Sequence, residues 1–258
     1  MNFLFALVQA ECQKIRKSKV FIISIISILL LPLVCGLFML IAMYPDLAQK
    51  SGVITQKAKV LSAADWPSYL GLFSQMISIG GIILFGFVTS WTFGREYSDG
   101  TAKDLLALPL PRGMVIAAKF ISVAVWSIFL AATSLLLTTL LGFLISVPGF
   151  DFHMYLTNIS LYVICTLMVI VLSAPIAFFA CWGKGYLPPL GFLVFALFVG
   201  NITAAMGHGV YFPWSIPAIY SGAAGATTLP SASYIILFFT GLIGAISTFA
   251  WWRYADQK

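Results

Sequence analysis

The residues best equipped for chemistry in this sequence are bunched. Of 22 charged side chains in 258 residues, six fall in the twenty positions from Phe93 to Arg112: Arg95, Glu96, Asp99, Lys103, Asp104 and Arg112. Thr101 and Asp104 have the spacing of a capping box, in which a hydroxyl and an acid three residues later cover each other's backbone N–H groups. A short helix is therefore expected to begin at Thr101. Gly100 supplies a backbone turn just ahead of it. Leu105, Leu106 and Leu108 give it an apolar side, and Pro109 and Pro111 end it. Such a segment recognises rather than reacts. An apolar face with charged flanks either rests on lipid headgroups or is laid into the groove of a cytoplasmic partner, and the spacing alone fits both.

Bond-making chemistry has little to work with elsewhere. No phosphate-cradling G-x-x-x-x-G-K-[ST] loop occurs, and Gly183-Lys184-Gly185 is too short to serve as one. This chain has no usual route to nucleotide hydrolysis. His153 and His208 are isolated, and no His, Glu or Cys cluster has zinc spacing. Cys12, Cys35, Cys165 and Cys181 read as small hydrophobes. No catalytic residue and no metal ligand is assigned.

The elements that must position the polar segment follow from composition. Charged residues make up 9% of the chain, against about 25% in a soluble domain. Hydrophobic residues make up 61%, and the mean hydropathy is +1.02. That much apolar surface needs lipid to cover it. Six apolar runs stand out, at about 20–43, 66–93, 120–147, 155–181, 186–206 and 230–252. Each can cross a hydrocarbon core of roughly 30 Å as a helix. Pro32 and Pro175 fall inside the first and fourth, where a kink is expected. No ionisable residue is expected in the middle of a span, which disfavours an ion-coupled carrier. The fold class is an all-α integral membrane protein, a single domain over 1–258.

Residues 1–19 form a different element. Leu4, Val8, Cys12 and Ile15 recur at helical spacing with Gln9, Gln13 and Arg16 between them, which predicts an amphipathic helix in the headgroup plane. Orientation comes from the basic residues. Eleven of the 14 Lys and Arg lie at the termini and in the second and fourth connections, against Lys50, Lys57 and Lys59 on the other side. Basic residues collect on the cytoplasmic side, so both termini are expected there and the net charge of +6 reflects topology, not nucleic-acid binding. Trp66, Trp91, Trp182, Trp251 and Trp252 stand at run ends, as interfacial aromatics do.

With the polar segment and the six runs in view, the chain resembles ABC-2-type transporter permeases. The resemblance rests on Glu96, Gly100-Thr101, Leu105-Leu106, Pro109, Arg112 and Lys119, with the six-span layout and the N-terminal helix, over essentially the whole chain. Its length and lack of a large outer domain are similar to the bacitracin-type and lantibiotic-immunity subgroup. The resemblance implies the permease subunit of a bacterial exporter in the cell membrane. It implies a cytosolic ATPase subunit that holds ATP and Mg, and a second permease chain, identical or a sibling. It also makes the segment between spans two and three a coupling helix. Arg95 and Glu96 fix its membrane-proximal end by ion pairing. Ser98, Asp99, Gly100, Thr101, Asp104, Pro109 and Arg112 frame it, and Leu105 and Leu106 fill the ATPase groove. The cargo it implies is a peptide antibiotic such as bacitracin or a lantibiotic. The alternatives are an ABC-2 exporter of an ion or small lipophilic molecule, and a membrane-embedded interaction or lipid-modifying protein with no ATPase.

Overall fold

The protein was analysed as a computed structural model, which describes residues 3–44, 64–101, 111–223 and 228–254. Its elements are α1 (Phe3–Arg16), α2 (Lys19–Met43), α3 (Trp66–Ser98), α4 (Arg112–Leu144), α5 (Phe152–Leu172), α6 (Ala174–Trp182), α7 (Leu187–Ala205), two 3-10 turns (Gly209–Tyr211 and Pro213–Ser215), α8 (Ile216–Tyr220) and α9 (Ser231–Tyr254). The described residues contain no strand. Helices α2, α3, α4, α5 with α6, α7 and α9 are the six that are long and apolar enough to cross a membrane.

The boundaries of the apolar runs move where polar residues continue a helix. The second run extends from Phe93 to Ser98, and the third begins at Arg112 instead of Phe120. Both helices have 33 residues, about 50 Å, well beyond a hydrocarbon core. Arg95, Glu96 and Lys119 are therefore helical residues rather than loop residues. The fourth run is not one helix. Pro175 lacks an N–H to bond back to Val171, and the chain restarts at Ala174 after Ser173, whose N–H bonds both Val169 and Ile170 carbonyls.

The centre of the bundle is α3. Its Phe73 stacks on Tyr162 of α5 at 4.7 Å, and Tyr69 donates a hydrogen bond to the Thr138 carbonyl of α4. Helix α9 crosses α5–α6 with backbones almost touching. A Cβ added at Gly244 would lie 2.4 Å from Pro175 N, and one at Gly241 would lie 2.3 Å from a Val171 methyl. Small residues allow such approach where lipid gives helices little hydrophobic drive to associate. The small residues Ala177 and Cys181 also lie fully buried in this contact, and Trp252 Nε1 donates to Cys181 Sγ.

The two ends of the bundle differ. One gathers Trp66, which packs edgewise on Tyr69 and Tyr155 and against Phe143 and Phe150. Asp65 and Asp151 cap α3 and α5 there by accepting from the Ser68 and Met154 N–H groups. The other end carries α1, the end of α3, the start of α4 and the end of α9. Two tryptophans expected in the lipid interface, Trp66 and Trp252, are instead buried in the bundle, while Trp182 is exposed. Their indoles fill space between helix ends that the linear sequence does not reveal.

Candidate functional site

At the second end, four ionisable side chains from three helices close on one another. Lys119 of α4 is 1% exposed. Its ammonium donates to Glu96 Oε1 at 2.9 Å, to the Thr92 carbonyl at 3.0 Å and to Glu11 Oε2 at 3.3 Å. Three donors meet three acceptors, which is all that a lysine can offer. The Phe93 ring lies beneath, its centroid 5.9 Å away. Lys14 of α1 reaches Glu11 Oε1 at 2.6 Å and Glu96 Oε1 at 3.2 Å. Two carboxylates and two ammoniums make a neutral set, which is what burial of charge demands. Among the described residues, Glu96 Oε2 is buried without a hydrogen-bond partner.

The helices place these groups by ordinary periodicity. Thr92 and Glu96 are one turn apart on α3, as are Glu11 and Lys14 on α1. Burial disfavours the charged form of Glu11, but Lys119 and Lys14 outweigh it, and its carboxyl is held below the ordinary 4.5. Burial likewise works against charged Lys14, and Glu11 with Glu96 raises it above the ordinary 10.5. The arrangement is a tie between elements, not an acid–base pair.

The expected coupling residues divide accordingly. Glu96 is in the cluster. Arg95 is not: it pairs with Asp99 one turn on at 3.0 Å and lies 5.0 Å over the Trp91 ring, and both partners are well exposed. Such a pair contributes little. Ser98 is exposed at the last position of α3. Gly100 has φ +70 and ends α3, so its turn serves as a helix stop at least as much as a lead into the next element. Thr101 is exposed and donates to the Glu96 carbonyl at 3.5 Å. Arg112 opens α4 and donates to the Trp252 carbonyl in the last turn of α9 at 3.3 Å. Lys103, Asp104, Leu105, Leu106, Leu108 and Pro109 lie outside the described residues, and so does the helix expected from Thr101.

Glu11 is the member that sequence reasoning passed over. It lies on the stripe Leu4, Val8, Glu11, Ile15, a carboxylate on the apolar face of an amphipathic helix. That misfit is a signal of a buried partner, and Glu11 and Ile15 are the buried residues of α1. Helix α1 therefore packs on protein along this face, against α4, where the Ser122 hydroxyl meets the Val8 carbonyl. Among the described residues, no three His, Cys, Asp or Glu side chains gather as a metal site needs.

Six helices long and apolar enough to cross a membrane, with a buried neutral ion cluster at one end, define a multi-pass membrane protein. The ABC-2 family transporter protein model matches residues 7–200, three quarters of the sequence, and the chain belongs to that family. It is 27% identical to the bacitracin transport permease protein BCRB of Bacillus licheniformis over 177 residues, which cover 68% of this chain and 85% of that one. The expected family and its bacitracin-type subgroup agree with these two findings.

Proposed function

We propose that this chain is the membrane subunit of a bacterial exporter that clears a peptide antibiotic such as bacitracin. A separate cytosolic ATPase subunit, which binds ATP and Mg, supplies the energy, and a second permease chain completes the path. The similarity to a bacitracin permease supports the cargo class. The observation that carries the coupling role is the position of Glu96. It lies in the last turn of α3, next to the connection 99–111, and is tied to Lys119 and Lys14. A push on that connection reaches Glu96 through a single helical turn, and the ion cluster makes α1, α3 and α4 respond together. The second Glu96 oxygen gives the cluster one unused acceptor. Leu105 and Leu106 fill the ATPase groove in this scheme, with Asp104 and Pro109 bounding the docking helix. The basic asymmetry puts this end in the cytoplasm.

The test is resistance in a drug-sensitive host that co-expresses the ATPase. Glu96→Ala and Leu105→Asp should each reduce resistance to the level of the empty host when compared at matched membrane abundance. Full resistance in both variants rejects the coupling role.

A further inference from the structure

A groove of about 430 Å³ separates the start of α4 from the last turns of α9 at the end of the bundle that holds the ion cluster. Two arginines stand at its mouth, Arg112 from α4 and Arg253 from α9. The bond to the Trp252 carbonyl orients the Arg112 guanidinium and occupies one of its five N–H donors. The Arg253 guanidinium lies 5.4 Å over the Tyr254 ring. Both arginines are exposed, and among the described residues neither is in a salt bridge. Behind them the walls are apolar: Ile116, Ile246, Phe249 and Ala250. From Arg253 back to Ile246 the groove follows about 10 Å of helix, into the depth where the spans meet lipid.

We propose that this groove binds an anionic membrane phospholipid, its phosphate between Arg112 and Arg253 and the start of an acyl chain along Ile246 and Phe249. Two cations at one end of an exposed apolar trough match an amphiphile with a negative head. A free phosphate would use the arginines but leave the trough unfilled. Basic pockets between spans at the headgroup level are the usual place for such lipids. The lipid would join the start of α4 to the end of α9 through the two arginines. This inference does not depend on the ATPase or on the cargo.

The experiment uses the purified full chain, delipidated in mild detergent, and native mass spectrometry with equal amounts of phosphatidylglycerol or phosphatidylcholine. The native chain should retain phosphatidylglycerol in preference. Each basic residue near an anionic headgroup is worth roughly fivefold in affinity, so Arg112→Gln with Arg253→Gln should weaken retention roughly thirtyfold. Ala250→Trp keeps both arginines but blocks the trough, and should also lose the lipid. Lys17→Gln with Lys19→Gln removes equal charge elsewhere and should change little. Undiminished retention in both groove variants overturns the proposal. Displacement of the lipid by millimolar inorganic phosphate would make this a free-anion site and also overturn it. So would a disulfide between two chains through Ile246→Cys in native membranes, which would make the groove a chain–chain interface.

Discussion

Lys119 is tightly constrained. It is fully buried, and every proton on its ammonium has an acceptor. Removing one partner of a buried ion pair leaves the other uncompensated, at a cost of about 3 kcal/mol or more. Lys119→Met should therefore lower stability in detergent by that order. Adding Glu11→Gln should recover part of the loss, because Lys14 and Glu96 remain as a neutral pair. A thermal-unfolding double-mutant cycle reads this coupling, and strict additivity would show that Glu11 and Lys119 do not share an ion pair. The pH dependence has a definite sign. Glu11 is held below 4.5, so its share of stability is complete above 4.5 and is lost as pH falls through its lower folded value. Lys14 is raised above 10.5, so its share is lost only as pH rises beyond that. The melting temperature should thus fall on acidification below about 4.5, and fall less in Glu11→Gln. Glu96 and Lys119 were legible in the sequence as members of a motif. Their contact was not, because 23 positions of chain separate them.

At the scale of elements, α9 packs with its backbone close against the break between α5 and α6. Gly244 faces Pro175 backbone atoms that cannot yield, so Gly244→Ala forces two helices apart. Overpacking of this kind costs about 1–3 kcal/mol. Gly71, in contrast, has no heavy atom within 4 Å of an added Cβ. Gly71→Ala should leave stability unchanged or slightly raised, since alanine is the better helix former. Equal thermal stability of the two variants in detergent would contradict the close crossing. The sequence indicated a kink at Pro175 but not that it divides the span. A proline removes one bond wherever it stands; whether the helix bends or breaks depends on what packs there, here the bare backbone of Gly241 and Gly244. The same reasoning explains the longer α3 and α4. Hydropathy ends a run at the first charge, but a charge with partners continues a helix.

At the scale of the whole molecule, six crossings return the chain to its starting side. Glu11 near the N-terminus meets Lys119, and Trp252 near the C-terminus meets Arg112, so both ends of the described chain share one face. The distribution of lysine and arginine makes the cytoplasm the expected side of that face. A fluorescent protein fused after Lys258 should therefore be bright, and alkaline phosphatase fused there inactive. An insertion of the phosphatase between Val147 and Phe152 should be active. The reverse pattern would invert the topology and remove the basis for an ATPase at the ion cluster.

Composition and the placing of the apolar runs determined the solvent and the number of spans, because an apolar run of membrane length has few alternatives in lipid; the family came from the resemblance carried by the polar segment and the span layout. The polar bunch between the second and third spans was also legible, as a local concentration of charge is written in neighbouring residues. Tertiary structure alone decided which of those charges act together. Arg95 turned to Asp99 on its own helix, Glu96 turned inward to Lys119 and Lys14, and Glu11 joined them from the far end of the sequence. Buried charge must be neutralised by whatever group the packing brings within about 3 Å, and packing is a property of the assembled helices, not of any one of them.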